Sequence, residues 1–126
     1  MTHRFALRVY YEDTDLAGVV YYANYLKFIE RGRSEWVRDM GVDQVALKAH
    51  GTVFAVRRVV ADYLTPAKYD DQLVVQTDVQ KIGGASLSLV QTVWRADTLL
   101  FSAVVVIVAI GANGKPVRLP ANIRPR

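Results

Sequence analysis

Apolar or small residues between positions 25 and 40 recur every three or four residues, the spacing of one face of an α-helix. Charged residues occupy the opposite side of this stretch. Gly41 follows the last apolar position, where a glycine commonly ends a helix. The pattern predicts an amphipathic helix whose apolar or small positions are Tyr25, Phe28, Ile29, Gly32, Trp36 and Met40.

Elsewhere the pattern is typical of β-strands, with alternating apolar and polar residues or short apolar runs. Turn signals separate several of these segments, namely Thr65-Pro66, Gly83-Gly84 and Ala96-Asp97. The last apolar run is interrupted only by Ser102, which predicts a strand buried on both faces. The predicted strands cover residues 5–11, 53–64, 72–82, 86–94 and 99–110, and residues 43–50 are compatible with one or two further helical turns.

The order of these elements is one strand, one long helix and then four strands joined by short turns. A single helix cannot cover two sheets, so the order predicts an α+β fold in which one antiparallel sheet curls around the helix. The length of 126 residues favours one domain over residues 1–126, with an irregular tail from about residue 115. Gly32 inside the predicted helix is explained if the helix approaches the sheet closely at that point.

The amino-acid composition limits the kinds of site and partner that the chain can have. The chain has no Cys, which excludes disulfides, thiolate nucleophiles and cysteine-bound metals, and which agrees with a cytoplasmic location. A net charge of +4 fits either an anionic partner or a surface that happens to be basic. We expect no secretion signal, because the first residues contain no apolar core, and no transmembrane segment, because the longest apolar run, residues 99–110, is too short to span a bilayer as a helix. We expect no nucleic-acid partner, because basic residues cluster only in the tail over residues 118–126.

Several kinds of catalytic site are absent from the sequence. His3 and His50 lack metal-ligand spacing, so we expect no metal, and neither a nucleophile elbow nor a phosphate-binding glycine loop occurs. Carboxylates remain as candidate nucleophiles or bases, and Asp13 and Asp15 lead. Capping of the helix is the commoner role for such residues. However, apolar residues separate Asp15 from the helix, which would place it in a partly apolar crevice and strengthen it as a base.

Three tyrosines, Tyr21, Tyr22 and Tyr25, lie where the predicted helix begins. Their side chains are typical of a core or an interface. Their backbone amides have a second possible role, because an unpaired N–H at a helix start can polarise a carbonyl group.

Residues 11–25, from Tyr11-Glu12-Asp13-Thr14-Asp15 through Gly18 to Tyr25, resemble the signature of the hot-dog-fold thioesterases. More narrowly, they resemble the 4-hydroxybenzoyl-CoA thioesterase family and its branch associated with the Tol-Pal system. The similarity continues through residues 30–31, 54–57, 69–73 and 84–87, and it covers nearly the whole chain apart from the last dozen residues.

The resemblance implies a five-stranded antiparallel sheet wrapped around one long central helix. It implies a dimer with one continuous sheet, often paired into a homotetramer, with active sites at the subunit interfaces. It also implies a cytoplasmic hydrolase that acts on acyl-CoA without a cofactor, with either an aromatic or a short- to medium-chain acyl group.

Carried over by position, Asp15 matches the catalytic carboxylate, which acts as a nucleophile or as a general base on water. The backbone N–H of Tyr22 matches the amide that polarises the thioester carbonyl, and Gly18 matches the glycine that lets the chain pass close to the thioester. Asp13 matches the acid that organises the loop. On the substrate and CoA side the candidates are Asp13, Tyr25, Arg57, Lys81 and Ser86.

Two positions depart from the family pattern. The Tol-Pal-associated branch usually has His where this chain has Tyr22, whereas the hydroxybenzoyl branch has Tyr there. The hydroxybenzoyl enzymes also carry a basic cluster at the turn before the fourth strand, where this chain has only Lys81 nearby. A carrier-protein thioester and a non-catalytic acyl-CoA-binding protein therefore stay open as alternatives. A hydratase on the same fold ranks lower, because it usually needs a His in the site.

Overall fold

The computed structural model of the protein describes residues 2–123. It contains five strands, two α-helices and one short 3₁₀-helix. The strands are β1 (His3–Arg8), β2 (Val53–Tyr63), β3 (Gln72–Ile82), β4 (Ser86–Arg95) and β5 (Thr98–Ile110). The helices are α1 (Asn24–Asp39) and α2 (Gln44–Ala49), and the 3₁₀-helix is Tyr11–Asp13.

All five strands form one antiparallel sheet in the order β1-β3-β4-β5-β2. This confirms the α+β class and the five-stranded antiparallel sheet expected from the sequence. Instead of a single helix, the chain has α1 with 16 residues and α2 with six. The strand β2 lies at one end of this order, so one of its edges has no partner strand among residues 2–123.

The first strand ends earlier than the sequence pattern predicts. β1 stops at Arg8, and Tyr11–Asp13 form a 3₁₀-helix instead of extended chain. The Asp13 carboxylate accepts a 2.8 Å hydrogen bond from the Tyr10 N–H, and the Asp13 N–H donates to the Tyr10 carbonyl at 3.0 Å. These two bonds close a tight turn, which β-propensity alone does not reveal.

The fifth strand is fully buried on the face that α1 covers, whereas its other face is mostly half-buried, although Val108 there is buried, so the prediction of burial on both faces is only partly correct. Phe101, Ala103 and Val105 are buried against the side of the sheet that α1 covers. Val104 and Val106, which point to the other face, are only half-buried. An apolar run does not distinguish a doubly covered strand from one whose outer face is apolar and partly open.

The core lies between α1 and the sheet, and its closest approach is at Gly32. A Cβ atom placed on Gly32 would lie 2.6 Å from Cγ1 of Val75 on β3. This confirms that the helix approaches the sheet closely where the sequence carries its helical glycine. Phe28 and Ile29, about one turn before Gly32 on the same helix, are almost completely buried.

A buried polar cluster joins α1 to the sheet. The side chain of Gln91 on β4 is fully buried, and its Nε2 donates to the Ile29 carbonyl at 2.8 Å and to Thr77 Oγ1 at 2.9 Å. Its Oε1 accepts a 3.0 Å hydrogen bond from the Arg33 guanidinium. All polar groups of Gln91 therefore have partners, as a buried amide requires.

Residues 115–123 of the tail form no helix or strand, but some of them pack on the domain. The Val117 N–H donates to the Ala109 carbonyl and the Leu119 N–H to the Gly84 carbonyl, both at 2.9 Å. Leu119 and Ile123 are buried. Residues 124–126, the end of the predicted irregular and basic tail, lie outside the described residues. None of the helices between residues 2 and 123 is long and apolar enough to cross a membrane.

Candidate active site

Asp13 ties the two ends of the loop between β1 and α1 together. Its side chain is buried and holds the Tyr10 N–H, as described above. Its carbonyl accepts hydrogen bonds from the Tyr21 N–H and from the Asn24 side chain, both at 2.9 Å. The buried position and these bonds fit the role of organising the loop, and they leave the carboxylate away from solvent.

Asp15 begins a tight turn that projects from this loop. Its N–H donates to the Val19 carbonyl at 2.9 Å, and the Gly18 N–H donates to the Asp15 carbonyl at 3.0 Å. Gly18 has a φ of +80°, a conformation that favours glycine. The Asp15 carboxylate accepts a 2.9 Å hydrogen bond from the Ala17 N–H and has one oxygen without a partner in residues 2–123.

Asp15 is exposed in the single chain, so the expected apolar crevice is not formed by this chain alone. Val20, which follows it, is buried beneath the loop, but Leu16 at the tip of the turn is fully exposed. The intervening apolar residues therefore face the core or solvent and do not surround the carboxylate.

The start of α1 has unused backbone donors. Ala23 occupies the N-cap position without a side-chain cap, so neither Asp13 nor Asp15 caps this helix. Within residues 2–123 the Tyr22 N–H and the Ala23 N–H make no hydrogen bond. Because the positive end of the helix dipole lies here, these amides form a suitable place for a polarised carbonyl oxygen. The family resemblance pointed to Tyr22 but not to Ala23.

An aromatic cleft of about 210 Å³ adjoins these amides. Tyr25 forms its floor: the ring is buried and stacks on Phe101 at a centroid distance of 5.0 Å, and its hydroxyl accepts the Ala67 N–H at 3.0 Å. Burial raises the pKa of Tyr25, so the phenol stays neutral at physiological pH. The lining residues are Val20, Tyr22, Tyr25, Tyr63, Leu64, Thr65 and Pro66.

Tyr63 is a site residue that the sequence analysis did not single out. Its hydroxyl donates a 3.1 Å hydrogen bond to the Tyr22 carbonyl, and its ring meets Tyr25 edge-on at 5.6 Å. Tyr63, the last residue of β2, is thus bonded to Tyr22, whose own N–H is free within residues 2–123. No local motif marks it, because the contact spans 41 positions of the chain.

The three remaining candidate site residues, Arg57, Lys81 and Ser86, do not lie near the Tyr22 cleft within one chain. Arg57 is the extra residue of a β-bulge in β2, and its side chain is exposed. Lys81 is exposed near the end of β3, and Ser86 begins β4 opposite Val108. Tyr63 pairs with Phe101 at the other end of the sheet. Within one chain the structure therefore groups Asp13, Asp15, Gly18, Tyr22 and Tyr25 but does not bring Arg57, Lys81 or Ser86 to them.

The described part of the chain contains no cluster of three or more His, Cys, Asp or Glu side chains that could hold a metal ion. A carboxylate, free backbone amides and an aromatic cleft are therefore the groups available at this site. Together they can bind a carbonyl group, polarise it and direct a nucleophile toward its carbon.

Comparison with known proteins identifies the family. The model of the Thioesterase superfamily matches residues 17–102. The chain belongs to the thioesterase superfamily. It is 43% identical over 122 residues to the acyl-CoA thioester hydrolase YbgC of Shigella flexneri. This alignment covers 95% of this chain and 91% of the relative. The chain is 42% identical to the acyl-CoA thioesterase YbgC of Haemophilus influenzae, over 95% of this chain and 90% of the relative.

Solved structures of this superfamily share the fold. A probable thioesterase from Bartonella henselae matches with a TM-score of 0.90 and 40% sequence identity. The match covers 95% of this chain and 100% of that one. The described fold is therefore that of a thioesterase-superfamily domain along almost its whole length.

Proposed function

We propose that this thioesterase-superfamily protein hydrolyses acyl-CoA to the free acid and CoA. The observation that carries the proposal is the free N–H of Tyr22 at the positive end of α1, directly beside an aromatic cleft. The relatives described above, which are named for the same activity, support it. The exposed Asp15 on the adjoining turn provides the reactive carboxylate.

In this mechanism the thioester carbonyl oxygen accepts a hydrogen bond from the Tyr22 N–H. Asp15 then acts in one of two ways. It attacks the carbonyl carbon to give an anhydride that water hydrolyses, or it removes a proton from a water that attacks the same carbon. In both routes the carbon–sulfur bond breaks, the CoA thiolate leaves and takes up a proton, and the acyl group leaves as the acid. The amide stabilises the negative charge that develops on the oxygen.

The cleft suits the acyl group. Tyr25 and Tyr63 present neutral aromatic surface, since burial raises the pKa of both phenols. A short- to medium-chain or aromatic acyl group fits such a lining. Asp13 supports this arrangement by holding the loop, and Gly18 allows the turn that presents Asp15.

The proposed enzyme is a homodimer built through β2. This edge strand carries exposed apolar side chains, among them Val56, Val59 and Val60, and apolar edges of this kind readily pair with another strand. A two-fold axis at this edge makes one continuous sheet from two copies, with α1 in the position of the central helix. Pairing of two dimers into a tetramer follows the family resemblance.

The same two-fold arrangement brings the cations Arg57 and Lys81, which are distant within one chain, closer to the site. Two copies of β2 paired antiparallel place the Tyr63 end of one strand beside the Val53 end of the other. Ser86 and Lys81 lie toward the Val53 end of the sheet, and Arg57 lies near the middle of β2. In the dimer these residues therefore approach the Tyr22 cleft of the partner subunit, where the CoA nucleotide needs positive charge.

Release of CoA thiol, measured with a thiol-reactive dye over a panel of acyl-CoA substrates, tests this function. We expect catalytic turnover of at least one acyl-CoA by the wild-type protein. Calorimetric binding of a CoA ester without thiol release would contradict the proposal and identify a binding protein. Turnover restricted to acyl groups on a carrier protein would contradict the CoA assignment.

A further inference from the structure

A second cavity, of about 250 Å³, lies near the other end of β2. The middle of α1 forms one wall, the start of β2 forms another, and the beginning of α2 closes it. Its lining combines apolar side chains with a few polar ones; the residues that matter here are Glu30, Arg33, Ser34, Phe54 and Val56. Nothing in the mechanism above uses this cavity.

Arg33 is the unusual member of this lining. It is half-buried, and its hydrogen bond in the described chain goes to the neutral Oε1 of Gln91 at 3.0 Å. No carboxylate in residues 2–123 lies within ion-pair distance of it. A guanidinium has five N–H donors, so several remain for a ligand. Burial lowers the pKa of Arg33, and the nearby negative charge of Glu30 partly offsets this effect. A partly buried guanidinium that makes no ion pair within residues 2–123 favours an anionic or oxygen-rich ligand.

Glu30, the acidic group of the cavity, is already engaged. Its carboxylate accepts a 2.9 Å hydrogen bond from Ser34 Oγ one turn along α1. Glu30 makes no ion pair with Arg33 in residues 2–123, although its charge acts on Arg33, and its carboxylate has a free lone pair that can accept a hydrogen bond from a hydroxyl group. The cavity thus combines the Arg33 cation and the Glu30 acceptor with a lining of mostly apolar side chains.

The two cavities lie at opposite ends of β2, so a dimer built through β2 brings them together. The Tyr22 cleft is lined by Tyr63 and Leu64 at the end of β2, whereas the Arg33 cavity is lined by Phe54 and Val56 at its start. Antiparallel pairing of β2 with its two-fold copy brings the end of one strand to the start of the other. In the proposed dimer, the cleft of one subunit therefore adjoins the Arg33 cavity of its partner.

We propose that Arg33 of the partner subunit binds the far end of the acyl group, and that the preferred substrates carry an oxygen function there, a carboxylate or a hydroxyl. The thioester lies at Tyr22 of one subunit, and the acyl chain runs along the aromatic cleft into the partner's cavity. The inference rests on the proposed thioesterase function and adds the substrate class and a specificity residue.

Matched acyl-CoA pairs test the substrate class. Glutaryl-CoA is compared with pentanoyl-CoA, and 4-hydroxybenzoyl-CoA with benzoyl-CoA, so that each pair differs in the terminal oxygen function. We expect the wild type to prefer the oxygenated member of at least one pair by about 10- to 100-fold in kcat/KM, the range of one charged hydrogen bond. The Arg33→Met variant is expected to lose most of that preference.

The control is Arg31→Met on the same helix, since Arg31 is exposed and lines neither cavity. This variant keeps the wild-type preference. If Arg33→Met does not fold, Arg33→Gln, which retains a donor for Gln91, replaces it. Equal kcat/KM within both pairs for the wild type overturns the inference while the hydrolase function stands. Absence of thiol release from every acyl-CoA overturns the hydrolase function and the inference together.

Mixed assemblies test whether the site is shared. Asp15→Asn and Arg33→Met chains are co-expressed with different tags, and assemblies that contain both are isolated by two successive affinity steps. If Asp15 and Arg33 of opposite subunits form one site, each mixed dimer has one intact site and regains about half of the wild-type rate on the oxygenated substrate. A rate no higher than that of Arg33→Met alone overturns the shared site.

Discussion

The Tyr22 amide is the smallest feature on which the proposed chemistry depends. Proline at this position removes the N–H while the chain near a helix start still accepts it. We expect Tyr22→Pro to reduce kcat by about 100- to 1000-fold, the usual effect of losing one oxyanion donor. The measurement is steady-state thiol release, with circular dichroism to show that the fold is retained.

Tyr22→Ala is the matched control, because it removes the phenol but keeps the amide. Its kcat is expected to stay within a few-fold of the wild type, with any larger effect in KM, since the ring lines the cleft. Equal losses in kcat for the two variants would show that the side chain, and not the amide, carries the effect.

The sequence identified the carboxylates and the helix start correctly as neighbours but not their surroundings. Asp13 is a buried loop residue, whereas Asp15 is exposed in the single chain, although only Thr14 separates them. Which of them points inward depends on the 3₁₀-turn that Asp13 itself closes with Tyr10. Such local side-chain to backbone bonds are not visible in apolar periodicity.

At the scale of secondary-structure elements, α1 and β3 pack so closely at Gly32 that no space remains for a larger side chain. Replacing Gly32 by Ala raises the helix propensity at this position, which by itself would stabilise the fold by about 1 kcal/mol. The new Cβ would lie 2.6 Å from Val75 Cγ1, and overpacking of a core costs about 1–3 kcal/mol. We therefore expect a net loss of up to about 2 kcal/mol in the free energy of unfolding, measured by urea denaturation.

Two further variants separate the clash from other effects. In a Val75→Ala background the same Gly32→Ala change is expected to be neutral or stabilising, because the opposing methyl groups are gone. Gly84→Ala, where nothing lies within 4 Å of the added Cβ, is expected to change stability by less than about 0.5 kcal/mol. A stabilised Gly32→Ala single variant would contradict the close approach.

Periodicity predicted most elements because their exposed and buried faces alternate regularly. The observed α1 begins and ends one residue before the predicted bounds, and β3 has the predicted ones. The failures have specific causes: β1 ends early at the Asp13 turn, and the outer face of β5 is apolar but mostly only half-buried. Propensity does not report either the turn or the second layer.

At the scale of the whole molecule, the exposed apolar edge of β2 is central to the proposed dimer. Val59 is 38% exposed in the single chain and lies on the α1 side of the sheet. We expect Val59→Lys to shift the protein toward monomers, because it places a charge in the paired edge. Light scattering after size exclusion measures the mass, and thiol release should fall with the dimer fraction.

Val79→Lys is the matched control, since Val79 on β3 is 43% exposed and lies away from β2. It should leave both mass and activity unchanged. A monomeric Val59→Lys protein with full activity would show that each chain forms a complete site by itself.

The sequence of one chain predicts only part of such a site. Arg33 falls among charged residues on the polar side of α1, and only the fold shows that it reaches Gln91 and a cavity. Tyr63 likewise joins Tyr22 across the fold. Residues that become neighbours through sheet pairing or through a second copy leave no local signal in the spacing of a single chain.

The proposed hydrolysis at Asp15 is tested most directly by thiol release from the best acyl-CoA, comparing wild type, Asp15→Asn and Glu12→Gln. Glu12 is an exposed carboxylate in the same loop and serves as the matched control. We expect Asp15→Asn to lose at least about 100-fold in kcat with an unchanged melting temperature, and Glu12→Gln to keep the wild-type rate. Full activity in folded Asp15→Asn would contradict the account.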